Sequence, residues 1–459
     1  MSKQDLHSVA VLGSGESGMG AVRLAVKQGL SVFLSDGSAI AEAKKDELTK
    51  LGVAFEEGGH SLDKIVAYKE VVKSPGIPNS AAIIKEIKAA SVPVISEIEF
   101  ASRYTGAKLI GITGSNGKTT TTLLTTHILK SAGLNAASAG NVGNSLSDLL
   151  ASGAAHDIIV LELSSFQLDD IDTFKPDVAV LLNITPDHLD RYNYQMAEYA
   201  AAKYRLFENM GESDLIILNQ DDSWVVKGAQ SSPARIQPVS VQGRVLGHGA
   251  FSEADCLILD TEKEIEVIPT GYLPLIGKHN HYNQMAAILA ALEVGVSFPE
   301  IINALGSFKN AAHRLENAGV VNDITFINDS KATNVDAVFY ALDAIEAPIV
   351  WIAGGVNKGN DYSQIKALVQ QKVHTLICMG KDNAHLKDEF SGDVSVLTET
   401  LSAAEAVKAA FEHAQEGDVV LLSPACASFD LFKNYEDRGD QFKAAVKELK
   451  DVQPKMKQI

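Results

Sequence analysis

Leu109-Ile110-Gly111-Ile112-Thr113-Gly114-Ser115-Asn116-Gly117-Lys118-Thr119-Thr120 runs from an apolar strand into a glycine-punctuated turn, then into a lysine and paired threonines that open a helix. This is the layout of a phosphate cradle. Backbone N–H groups of the turn face an anion, and the first-turn amides of the helix add partial positive charge. Lys118 supplies a full charge for the β- and γ-phosphates, and the Thr119 hydroxyl can ligate Mg²⁺. The strict P-loop spacing requires glycine at position 112, where Ile112 stands, so the motif is the shorter variant Thr113 to Thr119. Gly114, Ser115, Asn116, Gly117, Lys118, Thr119 and Thr120 are the expected phosphate-binding residues of a chain that takes ATP or GTP.

Working outward, strand-like runs alternate with helical stretches, the pattern of parallel α/β sheets. Three sections separate. The first opens with Ser8 to Leu12, the cluster Gly13-Ser14-Gly15-Glu16-Ser17-Gly18, a helical stretch and a strand ending near Asp36. It closes after Pro93-Val94-Ile95. The second holds the phosphate loop and the runs Asp157 to Leu163 and Asp177 to Asn183, and ends with a helix from about Asn283 to Val294. Strands at Thr325 to Asn328, Pro348 to Ala353, Thr375 to Met379 and Val419 to Ser423 make the third. The expected boundaries are 1–97, 98–311 and 312–459, with Rossmann-like, P-loop ATPase-like and Rossmann-like folds in that order.

Composition narrows the class. The 459 residues exceed one ordinary core. With 46% hydrophobic and 21% charged residues the chain has the make-up of a globular protein. A net charge of −18 argues against a general nucleic-acid or anionic-membrane surface. Cys256, Cys378 and Cys426 are too scattered for a disulfide framework or a metal motif. The opening residues lack a signal-peptide core and no apolar run is long enough to span a bilayer, so a cytoplasmic location is expected.

The second section carries a catalytic set. Ile158 to Leu161 ends in Glu162, the acidic strand end that can hold Mg²⁺ beside Thr119. Asn183-Ile184-Thr185-Pro186-Asp187-His188-Leu189-Asp190 places His188 and two acids just after another strand, which fits a structural turn or a metal ligand. Lys203, on a helical stretch, reads by itself as a solvated surface lysine. The Gly13 to Gly18 cluster with Asp36 downstream fits a dinucleotide fingerprint, and equally a nucleotide-diphosphate site. A nicotinamide-dependent dehydrogenase and a nucleotide-binding regulator therefore stand as alternatives. The dehydrogenase leaves the phosphate loop and the entire third section unexplained, and intact Lys118, Glu162, His188 and Lys203 argue against a regulator without turnover.

A resemblance then becomes specific. Thr113 to Thr120, Glu162-Leu-Ser-Ser-Phe-Gln167, Asn183 to Arg191 and His279-Asn280-His-Tyr-Asn283 occur in the order found in Mur ligases, ATP-dependent amide-forming enzymes of peptidoglycan precursor synthesis. Asn328-Asp-Ser-Lys331-Ala-Thr333-Asn334, Leu422-Ser-Pro-Ala-Cys-Ala-Ser428-Phe-Asp430 and Phe432-Lys-Asn-Tyr435-Glu-Asp-Arg438-Gly439 resemble the member that adds D-glutamate. The likeness covers essentially the whole chain.

The resemblance implies a monomeric ligase that joins D-glutamate to UDP-N-acetylmuramoyl-L-alanine through an acyl phosphate, and with it a part in cell shape and division. It puts Gly15, Glu16, Ser17, Asp36 and the Ser74-Pro75-Gly76 turn on the UDP end of the substrate. Asn141, Gln167 and His188 fall on its muramoyl-alanine arm. Asn283, Arg314 and Asp329 fall on the nucleotide. Lys331, Thr333, Lys358, Ser428 and Tyr435 fall on D-glutamate. Two Mg²⁺ ions are implied, held by Thr119, Glu162, His188 and a CO₂-derived carbamate on Lys203. Closure of the third domain over the second would exclude water. Two departures from the family pattern stand out: Asn357 where relatives commonly have Asp, and Tyr435 where some relatives have Phe.

Overall fold

The computed structural model describes residues 8–141, 143–261, 264–275, 277–357 and 359–456. Two compact units divide the chain, Met1–Pro274 with Tyr282–Phe308, and Leu275–His281 with Lys309–Ile459.

The first unit holds two sheets. β1 (Ser8–Leu12), β2 (Ser31–Asp36), β3 (Ala54–Glu57), β4 (Glu70–Lys73) and β5 (Val94–Ser96) form a five-stranded sheet in the order β3-β2-β1-β4-β5. All its pairings are parallel, as a Rossmann-like half requires. Val9, Ala10, Val11 and Leu12 are buried without remainder, which is why β1 reads as a continuous apolar run rather than an alternating one.

The second sheet contains β6 (Lys108–Thr113), β7 (Ala136–Gly140), β8 (Ile158–Glu162), β9 (Val178–Leu181), β10 (Leu215–Asn219), β11 (Arg235–Ser240), β12 (Gly249–Glu253), β13 (Cys256–Asp260) and β14 (Ile265–Pro269). Its order is β14-β13-β12-β11-β10-β9-β6-β8-β7. Pairing is parallel from β7 through β12, and antiparallel from β12 to β14. The antiparallel end lies outside the sequence expectation, which covered only the parallel runs. The helix expected from Asn283 begins earlier, at Lys278, and ends at Glu293.

The second unit has one six-stranded sheet, made of β15 (Glu316–Val321), β16 (Ile324–Asn328), β17 (Ile349–Ala353), β18 (Val373–Met379), β19 (Val396–Thr400) and β20 (Val419–Leu422). The order is β15-β16-β20-β17-β18-β19, parallel apart from the antiparallel edge strand β15. Trp351 anchors its core, fully buried, with its ring Nε1 donating to the Ser423 carbonyl at 2.8 Å. Among the described residues no helix is long and apolar enough to cross a membrane.

Candidate active site

Register gathers the sequence-predicted residues of the first unit. Ile112 on β6 pairs with Glu162 on β8, Gly140 on β7 pairs with the same Glu162, and Thr113 on β6 pairs with Leu181 on β9. The segments after four adjacent strands therefore emerge along one sheet edge. They are Asn141 after β7, Glu162 at the end of β8, the phosphate loop after β6, and Asn183 to His188 after β9. Parallel sheets bind ligands at this carboxyl edge.

The phosphate loop has the backbone its glycines permit. Gly117 adopts φ +84° as the residue preceding the helix Lys118–Ser131, and a Cβ there would overlap the Asn283 Oδ1. Asn283 is thus packed against the loop within the same unit. Asn183 clamps the turn from the other side, accepting from the Asn116 N–H at 2.8 Å and donating to the Asn116 carbonyl at 3.1 Å. The Ser115 hydroxyl donates to the Thr185 carbonyl at 2.9 Å and lies 3.0 Å from the Tyr199 phenol. The Lys118 ammonium donates to the Gly114 and Ser115 carbonyls, each at 2.7 Å. Thr119 and Thr120 are buried at the helix start.

Glu162 is 1% exposed. Its Oε1 accepts from Asn141 Nδ2 at 2.9 Å, while Oε2 is buried with no hydrogen-bond partner among the described residues. A buried carboxylate oxygen left without a donor is costly unless a cation takes it. Gln167 spends its Oε1 on the N–H and hydroxyl of Ser164, both at 3.0 Å, in a capping box. His188 sits in the left-handed region at φ +51°, its side chain half exposed, with Nε2 3.6 Å from Asp187 Oδ2 and its ring edge on to Phe166.

Lys203 departs from its reading as a solvated helix lysine. It is 1% exposed on the helix Met196–Tyr204, and its ammonium donates to the Gly114 carbonyl at 2.9 Å and lies over the Tyr199 ring. Burial, reinforced by the Lys118 charge, pushes its pKa well below the usual lysine range, and Asp187 and Asp169 only partly oppose this.

The glycine cluster before the helix Glu16–Lys27 is tight for a physical reason. A Cβ on Gly18 would overlap the Gly13 carbonyl oxygen. Gly15 and Glu16 are exposed and Ser17 half-buried. Asp36, at the end of β2, accepts from the Ser14 N–H at 2.6 Å and the Ser38 N–H at 2.9 Å. Burial opposes its ionisation, yet these hydrogen bonds hold its carboxyl below the ordinary range. The Ser74-Pro75-Gly76 turn follows β4, with Ser74 donating to the Gly13 carbonyl at 3.4 Å.

Sequence reasoning missed what fixes that turn. Arg191 donates to the Pro75 and Gly76 carbonyls at 3.1 and 3.2 Å while its guanidinium lies 4.2 Å from the Phe166 ring centre. A buried Lys73–Asp170 ion pair at 3.0 Å holds the preceding residue. Arg191 stood in a quoted motif, but nothing in the sequence marks a partner 115 residues away.

In the second unit, the Lys331 ammonium lies 3.7 Å from the Tyr435 ring centre. Ser428 is 2% exposed. Thr333 follows the same loop, its N–H donating to the Lys331 carbonyl at 2.9 Å. Asp329 accepts from the Ser423 hydroxyl at 2.9 Å and the Leu315 N–H at 3.2 Å. Burial raises its pKa to about 7, against the pull of those bonds and of Arg314. Lys358 lies outside the described residues.

Comparison with known proteins gives this arrangement its family. Family models described as Mur ligase MurD-like N-terminal domain, Mur ligase middle domain, and Mur ligase glutamate ligase domain match residues 7–96, 112–291 and 313–426. The chain belongs to the Mur ligase family. A UDP-N-acetylmuramoylalanine–D-glutamate ligase of Cytophaga hutchinsonii is 51% identical over 448 residues, spanning 96% of this chain and 99% of that one. The enzyme of the same name from Bacteroides fragilis is 47% identical over 97% and 100% of the two chains. Among solved structures, a pseudomurein peptide ligase type C from Methanothermus fervidus covers 97% of this chain and 100% of its own. Its TM-score is 0.62 at 19% identity, a likeness of fold alone.

This Mur ligase therefore stands among the UDP-N-acetylmuramoylalanine–D-glutamate ligases, enzymes of peptidoglycan precursor synthesis. It is ATP-dependent, as Mur ligases are, and Mg²⁺ is general for such ligases. The dehydrogenase and regulator alternatives give way to that membership. Among the described residues no group of three or more His, Cys, Asp and Glu side chains could hold a metal by itself.

Proposed function

We propose that the chain joins D-glutamate to UDP-N-acetylmuramoyl-L-alanine through an acyl phosphate, as a cytoplasmic monomer with domains at 1–97, 98–311 and 312–459. The observation that carries the reading is the buried Glu162 Oε2, without a hydrogen-bond partner among the described residues, on the same sheet edge as the phosphate loop.

The substrate carboxylate is a poor electrophile, so the γ-phosphoryl group is transferred to its oxygen and ADP leaves. The phosphate loop amides, the helix start at Lys118 and the Lys118 ammonium spread the charge that develops on the phosphoryl oxygens. Thr119, Glu162 and His188 fit Mg²⁺, which when bound neutralises phosphate oxygens and orients the transfer. The unprotonated D-glutamate amine then attacks the acyl carbon, and the tetrahedral adduct expels phosphate. His188 can take the amine proton only where its ring is not committed to metal.

Lys203 is the proposed carbamate. A neutral amine adds to CO₂, forming a C–N bond and releasing one proton, and the product is an anion. Its burial and depressed pKa support this, because an ammonium there would repel both Mg²⁺ and Lys118. Gly15, Glu16, Ser17, Asp36 and Gly76 are proposed for the UDP end, and Asn141, Gln167 and His188 for the muramoyl-alanine arm. Asn283, Arg314 and Asp329 are proposed for the nucleotide, and Lys331, Thr333, Lys358, Ser428 and Tyr435 for D-glutamate.

The test is phosphate release from ATP with each substrate omitted in turn. Release that needs both, with a product heavier by one glutamyl residue, is the expected result. Release that persists without D-glutamate, or accepts another amino acid equally, contradicts the proposal.

A further inference from the structure

Arg438 is 1% exposed, and its charge has no carboxylate hydrogen-bond partner among the described residues. Nε donates to the Ser330 hydroxyl at 2.9 Å and one terminal nitrogen to the Ser330 carbonyl at 2.8 Å. The other terminal nitrogen donates to the Cys426 carbonyl at 3.2 Å and the Gly354 carbonyl at 3.4 Å. Every acceptor is a neutral oxygen. Burial lowers its pKa to about 10, with Cys426 and Asp430 opposing, so the group stays charged at neutral pH.

Those acceptors lie on three loops. Ser330 follows β16, Gly354 follows β17 and Cys426 follows β20, and the sheet order puts β20 between β16 and β17. The same loops carry Lys331 and Thr333, Val356 and Asn357, and Ser428. The planar fork thus fixes three separately emerging loops against one another, a task that a lysine point charge cannot do. Ser330 extends the tie, its hydroxyl donating to the Tyr435 carbonyl at 2.8 Å. The Val356 and Ala427 backbones close the remaining gap, exchanging hydrogen bonds at 2.8 and 3.3 Å.

We propose that Arg438 is the positioning residue of the D-glutamate site, setting the spacing of its three loops and adding positive potential for a dicarboxylate. The proposal rests on the reading that this unit binds D-glutamate.

Three variants test it by steady-state kinetics, with circular dichroism and thermal melting as controls on folding. R438K keeps the charge and loses the fork. S330A removes one acceptor with little disturbance, and decides the matter if R438K does not fold. KM for D-glutamate is expected to rise about tenfold in R438K and about threefold in S330A. kcat should fall less than about threefold, and KM for the UDP-substrate should stay within about twofold. Parallel loss of every parameter together with melting temperature overturns the proposal, as does an unchanged KM for D-glutamate in the folded variants. K331A separates two failures. A rise in K331A alone overturns the positioning role and leaves the site, whereas no rise in any of the three overturns the site assignment and the positioning role with it.

Discussion

Lys118 and Lys203 donate to the same oxygen, the Gly114 carbonyl, at 2.7 and 2.9 Å. Two ammonium groups sharing one acceptor repel, and the buried one bears the desolvation cost, so Lys203 is the one whose pKa is pushed down. A neutral lysine amine is the form that adds CO₂.

Activity should therefore depend on dissolved CO₂. In degassed, CO₂-free buffer the rate is expected to fall and bicarbonate to restore it. Carbon-13 bicarbonate should give a carbamate resonance that K203A lacks, and K203A should lose about a hundredfold or more in kcat. Full activity without CO₂, with no such resonance, would remove the carbamate.

Glu162 offers a second test, because its Oε2 is buried without a donor among the described residues. E162Q should raise the Mg²⁺ concentration needed for half-maximal activity by about tenfold or more. Its melting temperature without Mg²⁺ should match or exceed that of the parent, since an uncompensated buried charge has been removed. Lower stability with unchanged Mg²⁺ dependence would assign Glu162 a structural role.

At Gly117 the left-handed backbone and the approach of Asn283 leave no room for a side chain. G117A should cost about 1–2 kcal/mol in backbone strain and displace the Asn283 amide. ADP affinity by calorimetry is expected to drop about tenfold or more. Unaltered affinity would show that the turn does not cradle the phosphates.

What Tyr435 offers Lys331 is its ring face at 3.7 Å. Y435F should keep KM for D-glutamate within about threefold, while Y435A should raise it about tenfold. A large effect of Y435F would show that the phenol hydroxyl itself binds substrate.

Glu97 makes stability pH-dependent. It is 1% exposed, Oε2 has no partner among the described residues, and burial raises its pKa to about 7; the Ser147 bonds oppose this, and Asp148 and Glu16 add to it. The folded state then holds a proton that the unfolded chain has released. The contribution is full below pH 4.5, the ordinary value, and is lost as pH rises through about 7. Denaturant titrations should show parent and E97Q diverging by up to about 1 kcal/mol per pH unit in that window, with E97Q losing less. Parallel profiles would contradict this.

Much of the fold was legible because parallel strands buried on both faces, such as Val9 to Leu12 and Ile158 to Leu161, announce themselves as apolar runs. The phosphate loop was legible because Gly117 must be glycine. The antiparallel strands β12 to β14 were not, since short runs such as Ile265–Pro269 carry little periodicity. The early helix start at Lys278 was hidden by its polar first turn. The surroundings of Lys203 were invisible for another reason. Its acceptor lies 89 residues away, and helical periodicity says which face a lysine occupies, not what covers it. Arg191 and Arg438 are alike in this, with partners 115 and 108 residues distant.

In the proposed reaction the carboxylate of the UDP-substrate is phosphorylated before the amine attacks. UDP-N-acetylmuramoyl-L-alanine labelled with oxygen-18 in the alanyl carboxylate, turned over with ATP and D-glutamate, tests it directly by mass analysis of the released phosphate. One labelled oxygen should appear in each phosphate, because the acyl oxygen that takes the phosphoryl group leaves with it. Phosphate carrying no label, alongside normal product formation, would contradict the account.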